Sequence, residues 1–172
     1  RSGRGAPNHH DGGWHLTGTL GAMAAGAACS VMLGLNAQQI VHAFGIAGTQ
    51  AAGMQQNRGT MCKSFQAGKA ASNGLLAAML AEGGFDSSGE ILEGTKGFCR
   101  IYSSGTDIDQ ILKGLGESYC ITTNGYKPYA CGVVLHPIID TTIGLGKGSG
   151  IAPNDVKSID ITANAKAVII TG

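Results

Sequence analysis

Four side chains in this sequence have the type and setting to move a proton or hold an anion. His15 follows Trp14 and stands just ahead of Thr17-Gly18-Thr19, where a long uncharged run begins. An imidazole titrates near neutral pH and can take up or deliver a proton during a reaction. Lys63 lies in MQQNRGTMCKSF (54–65), a polar stretch between two very apolar segments, and so is expected in a loop at the rim of a core. A lysine there either snorkels to water or presents its ammonium to an anion in a cleft. Lys127 stands between Tyr126 and Tyr129 in GYKPY. At an expected strand end, those rings stiffen its stem or take up its charge by cation–π packing. His136 precedes Pro137 and reads first as a core or capping histidine. A single histidine at a helix start is more often structural than catalytic, so none of these positions carries a function alone.

Several chemistries are excluded by pattern. GLGKGSG (144–150) has no preceding strand, and Thr141 occupies the place of the first glycine of a phosphate-binding loop. QAGKAAS has Lys63 at that same place. The five cysteines are odd in number and form no C-x-x-C, so neither a disulfide framework nor a metal site is expected. Buried thiols in a reducing, cytoplasmic compartment are the simpler reading, and RSGRGAPNHHDGG lacks the basic-then-apolar pattern of a signal peptide. The net charge of +1 and the charged fraction of 13%, against a usual ~25%, exclude nucleic acid as a partner, because no basic cluster exists to displace counterions.

The elements that must position these residues are helical and closely packed. No Lys, Arg, Asp or Glu occurs from Leu16 to Asn57, which raises the question of a membrane hairpin. The apolar stretch Leu20 to Leu35 is shorter than the ~20 residues a bilayer needs and is mostly Ala and Gly. The next segment carries Gln38, Gln39, His42 and Gln50, and no aromatic belt flanks either one. A pair of buried core helices is expected instead. Glycine at 29 of 172 positions suits backbones in near contact. Thr17 or Thr19 is the expected N-cap of the first helix, which stops at Gly34, and Asn36 caps the second, AQQIVHAFGIAGTQAAG. A third helix is expected in AGKAASNGLLAAMLAEGG and a short one in DIDQILKGLGESY. After residue 118 the texture changes. CITTNGYKPYA reads as a strand end or edge, GVVLHPIIDTTIGL as a helix with Pro137 early or at a kink, and DVKSIDITANA as a half-buried strand. The expected architecture is mainly α, with an all-helical domain in residues 1–118 and the beginning of a smaller α/β lid in 119–172.

Five ordered stretches together are similar to the MmgE/PrpD family: GWHLTGTLGAMAAGA, LGLNAQQIVHAFGIAGTQAAGM, RGTMCKSFQAGKAASNGLLAAMLAEGGF, LEGTKGF and YKPYACGVVLHPIID. That family includes 2-methylcitrate dehydratase, cis-aconitate decarboxylase and iminodisuccinate epimerase. The resemblance implies a helical domain and an α/β lid around a polar cleft, a small di- or tricarboxylate substrate, and no cofactor or metal. It carries His15, Lys63 and Lys127 over as catalytic residues, with Thr17, Gln66 and His136 in substrate binding. Ser64 and Gln66 stand where the family usually has proline and histidine. Gln66 can hydrogen-bond a carboxylate but cannot carry a proton. Dehydration is the first expectation, followed by decarboxylation and epimerisation, with a catalytically silent fragment of a family member as the alternative. The threonine cap is expected to fix the backbone that aims His15. A homodimer through the helical domain is also expected, with the apolar GIAGTQAAG face at its interface. The resemblance begins and stops part-way through the family pattern, so the chain is expected to be the middle of a family member.

Overall fold

The computed structural model describes residues 7–103 and 107–171, in two compact units, Arg1–Ser118 and Tyr119–Gly172. The first unit is built on three long helices: α2 (Leu16–Met32), α3 (Ala37–Thr49) and α4 (Met61–Glu82), preceded by the short α1 (Pro7–Asp11) and followed by α5 (Phe98–Ile101) and α6 (Ile108–Leu112). Gly34 ends the first hairpin with φ +70°, a left-handed conformation that a side chain would strain. Asn36 then caps α3 through a reciprocal pair: its Oδ1 accepts from the Gln39 amide, and the Gln39 side chain accepts from the Asn36 amide, each at 3.0 Å.

Small residues let the three helices meet. A Cβ built at Gly26 would lie 3.2 Å from Ala47 Cβ, and one built at Gly74 would come within 2.5 Å of the Gly26 amide nitrogen. The core around this crossing comprises Met23, Ala43, Ile46, Ala47, Ala51, Ala77, Ala81 and Phe98. Gly45, Ile46, Ala47 and Gly48 are buried inside the unit, so the GIAGTQAAG segment is core rather than a free face. The third long helix begins earlier than expected, at Met61, which places Lys63 in its first turn and not in a loop. Its buried stripe opens with Gln66, Ala70, Asn73 and Gly74, a polar and small set that apolar periodicity does not register.

The second unit carries α7 (His136–Ser149) and α8 (Ala165–Thr171). Pro137 sits in the first turn of α7, where its missing N–H costs nothing, and Gly150 ends the helix at φ +66°. The expected strands are absent among the described residues. Cys120–Thr123 forms a 3₁₀ turn, and residues 156–164 run without a paired neighbour, leaving Val156, Ile159 and Ile161 47%, 67% and 57% exposed. A strand needs a second strand to satisfy its amides and carbonyls, and none lies alongside. The described fold is mainly helical, with no α/β lid. No described helix is long and apolar enough to cross a membrane.

Candidate active site

The backbone around His15 is clasped to a second segment. Trp14 and Met54 form an isolated antiparallel bridge. The His15 amide donates to the Gly53 carbonyl at 3.0 Å, and the Gln55 amide to the Gly13 carbonyl at 2.8 Å. The Gln55 side chain adds bonds to the carbonyls of Trp14, at 3.0 Å, and of His10. Two glycines permit the clasp. A Cβ at Gly18 would collide with the Ala52 carbonyl oxygen, and one at Gly53 would sit 2.7 Å from Gln66 Oε1.

His15 itself is the N-cap residue of α2, in extended conformation, and no side chain caps the helix. The expected threonine cap is therefore corrected. The helix starts at Leu16, so Thr17 and Thr19 already lie inside its first turns, where a side chain cannot act as an N-cap. Thr17 is exposed and Thr19 fully buried. What aims the imidazole is Gln66, 7% exposed on α4. Gln66 Nε2 donates to the Met54 carbonyl at 3.0 Å, and Gln66 Oε1 lies 2.7 Å from His15 Nδ1. A carbonyl can only accept, so the amide must turn its NH₂ to Met54 and its oxygen to the ring. That oxygen in turn requires the proton on His15 Nδ1, which leaves Nε2 bare in the neutral ring. No described group hydrogen-bonds Nε2. The arrangement tolerates both charge states, because Nδ1 donates to Gln66 whether or not Nε2 carries a proton.

Gln66 was expected to bind a substrate carboxylate, but both ends of its amide are engaged within the protein. Lys63 stands one helical turn before it, exposed, at the start of α4. Neither α2 nor α4 has an acidic residue in its first turn. Free amides at each helix end favour anions, with the half-buried His15 ring beside the start of α2 and the exposed Lys63 in the first turn of α4.

The other expected site residues lie in the second unit. Lys127 is exposed and its Nζ donates to the Cys131 carbonyl at 3.2 Å. Its flanking tyrosines do not take it up in a cation–π contact. Tyr129 hydrogen-bonds Asp140, which raises the phenol above its ordinary pKa of 10.0, with burial and the carboxylate's charge adding to the effect. The Tyr129 ring also meets the His136 ring edge-on, with centroids 5.3 Å apart. His136 opens α7 and has a buried Nε2 without a hydrogen-bond partner. A cavity of about 380 Å³ between α7 and residues 160–164 is lined by Pro137, Ile138, Leu145 and Asp160 among others, with no histidine or lysine. Its lining does not suit an anion. Among the described residues no three His, Cys, Asp or Glu side chains converge to hold a metal ion.

Sequence reasoning missed the residues that build the clasp, Gln55 and the backbone of Met54, and also His9 and Tyr102 behind it, and it read Thr19 only as a cap where the hydroxyl meets the His9 ring. Tyr102 donates its hydroxyl to the Ala51 carbonyl at 2.6 Å, and His9 is buried against it. The available signal was PNHHD, a proline-led helical turn carrying two histidines immediately ahead of Trp14.

Known proteins resemble this chain over about seven tenths of its length. The cis-aconitate decarboxylase of Aspergillus terreus is 36% identical over 132 residues, which is 72% of this chain and 27% of that protein. The cis-aconitate decarboxylase-like protein oryM of Aspergillus oryzae (strain ATCC 42149 / RIB 40) is 34% identical over 128 residues, 69% of this chain and 26% of that protein. The chain thus spans about a quarter of the length of the curated relatives it matches. Residues 1–111 match the MmgE/PrpD N-terminal domain, and the chain belongs to the MmgE/PrpD family.

Proposed function

We propose that this chain is part of a cofactor-independent lyase acting on a small di- or tricarboxylate, with His15 as its proton carrier. The observation that carries the reading is the chain from the Met54 carbonyl through Gln66 to His15, which holds the ring in one tautomer and leaves Nε2 open to a reacting atom. Lys63 and Lys127 bind substrate carboxylates and stabilise the anion that develops beside them. Thr17 and His136 complete the substrate contacts, while Gln66 orients His15.

Decarboxylation is placed ahead of dehydration and epimerisation, because the similar proteins are named as cis-aconitate decarboxylases. In that reaction the bond to one carboxylate carbon breaks and carbon dioxide leaves. The electron pair passes into the carbon skeleton beside the remaining carboxylates, and Nε2 delivers a proton to carbon. In dehydration Nε2 would instead remove the proton next to a carboxylate as hydroxide departs. Both routes build negative charge where ammonium groups are most effective in a water-poor cleft.

The test uses the intact protein and follows the ultraviolet absorbance of the unsaturated acid. His15→Gln should spare binding and lower kcat by about 10²–10⁴-fold, the usual size of an acid–base contribution. Lys63→Ala and Lys127→Ala should each weaken binding by about 1.5–3 kcal/mol, the worth of a charge-assisted hydrogen bond. Normal turnover by His15→Gln removes the assignment. We also propose a homodimer through the helical unit and a cytoplasmic setting. Sedimentation of the intact protein at micromolar concentration should report two subunits, and a monomer overturns the assembly.

A further inference from the structure

His9 is only 4% exposed, more deeply buried than any other described histidine, and the proposed reaction gives it no role. Its Nδ1 lies 2.8 Å from the Tyr102 carbonyl oxygen. That oxygen can only accept, so Nδ1 carries the proton and Nε2 of the neutral ring must accept. Thr19 Oγ1, 2.9 Å from Nε2, therefore donates its single proton into the ring. The carbonyls of His15 and Leu16, each 3.4 Å from Oγ1, are left to the helix amides. The Gly18 and Thr19 amides meet the His15 carbonyl at 2.9 and 3.2 Å.

The same ring is packed among Trp14, Phe98 and Tyr102, with centroids 6.2, 6.1 and 5.7 Å away. The backbone amide of Trp14, the residue before His15, donates to the His9 carbonyl at 3.3 Å. Tyr102 closes the arrangement from the other side. Its carbonyl accepts from His9, and its hydroxyl donates to the carbonyl of Ala51, two residues before the Gly53 carbonyl that holds the His15 amide. The first turn of α2 and the 51–55 segment are thus both tied to His9, one through Thr19 and the other through Tyr102.

We infer that His9 is a positioning residue for His15. Its Nε2, accepting from Thr19, fixes the first turn of α2 that carries the reactive imidazole, and the Nδ1 bond to Tyr102 decides which ring nitrogen accepts. The kinetic consequence rests on the proposed role of His15 as proton carrier, and the geometric one does not.

Two near-isosteric replacements separate the link to Thr19 from simple filling of space. His9→Asn keeps an amide near the Nδ1 position and can still reach the Tyr102 carbonyl, but loses the acceptor for Thr19. His9→Gln places an oxygen near the Nε2 position and can accept from Thr19. In the intact protein, with cis-aconitate as substrate, His9→Asn should lower kcat about tenfold at unchanged KM, the order expected when a reacting group is displaced by a fraction of an ångström. His9→Gln should stay within about twofold of the parent. Thr19→Val should match His9→Asn, Thr19→Ser should match the parent, and the Asn/Val double variant should be no slower than either single one. The second readout needs no turnover. Carbethoxylation of His15, followed by peptide mapping, should be at least threefold faster in His9→Asn and Thr19→Val than in the parent and His9→Gln. If the parent does not turn over cis-aconitate, the decarboxylase reading fails and the carbethoxylation rates still decide the role of His9. Equal rates in the Asn and Gln variants, or additive effects of His9→Asn and Thr19→Val, overturn the inference. If His9→Asn fails to fold, the Thr19 pair decides alone by the same criteria.

Discussion

Replacing Gln66 by Glu changes one atom type at the point where the site is held. A carboxylate can still accept from His15 Nδ1, 2.7 Å away, but cannot donate to the Met54 carbonyl. The first consequence concerns the proton on Nε2. An anion in direct contact with an imidazole stabilises the charged ring and moves its titration upward by about one to three pH units, or roughly 1.4–4 kcal/mol. Residue 66 is 7% exposed, so water and salt screen the pair poorly. If His15 acts as a base, the acidic limb of the pH–rate profile moves up. If it delivers the proton, the alkaline limb moves up. The direction is the same in either case, and kcat/KM against pH, followed by ultraviolet absorbance, reads it.

The second consequence is a loss of stability. The Met54 carbonyl loses its donor and faces a carboxylate, which costs about 1–3 kcal/mol. The ion pair offsets this only where both partners are charged. The raised His15 contributes stability that is fully present below its unfolded value of about 6.5 and is lost as pH rises through the higher folded value. The new glutamate, lowered by the imidazolium, contributes above about 4.3. Urea titrations should therefore show the smallest deficit near pH 5–6 and the largest above about pH 9. A variant with native circular dichroism and an unmoved pH–rate limb would refute the claim that Gln66 controls the His15 proton.

Two further outcomes follow from packing and from the second unit. Gly74→Ala should gain about 1 kcal/mol in helix propensity but lose more, because the new methyl comes within 2.5 Å of the Gly26 backbone nitrogen, which cannot turn aside. With overpacking at about 1–3 kcal/mol or more, a lower urea midpoint is expected, and a raised one would show that α2 and α4 can separate freely. In an alkaline absorbance titration, the tyrosine that ionises last should disappear in Tyr129→Phe and move to lower pH in Asp140→Asn, since Asp140 holds that phenol protonated. No change in the last-titrating component of either variant would contradict the assignment.

The parts of the fold legible in the sequence are those whose signals are local. Asn36 announces the start of α3 by its type, and Pro137 restricts the start of α7 or a kink in it, because each acts within its own turn. The start of α4 was not legible, since its buried stripe opens with a glutamine and small residues in place of apolar ones. Alternation in DVKSIDITANA suggested a strand, but alternation specifies only which face would be buried, and a partner strand must supply the burial. The site divides the same way. His15 and Lys63 could be picked out by type and setting. The bond that orients His15 joins residues 51 positions apart, and nothing in a linear pattern shows that the Gln66 amide reaches the ring.

The composition of the site also has an electrostatic reason. None of the described groups that position His15 is a carboxylate: they are the Gln66 amide, the backbone of Gly53 and Met54, the Thr19 hydroxyl and the His9 ring. A carboxylate at residue 66 could still accept from the imidazole, but it would lose the bond to the Met54 carbonyl and, on the proposed function, repel a substrate that brings two or three negative charges of its own. The charge-free run from Leu16 to Asn57 removes that repulsion along α2, α3 and the 51–55 segment together. Neutral orienting groups add no anion of their own to compete for the Lys63 ammonium, which is exposed. Under the proposed function, the uncharged run that first suggested a membrane span is the setting of a site in which the substrate supplies the anions and the protein supplies few charges beyond its cations.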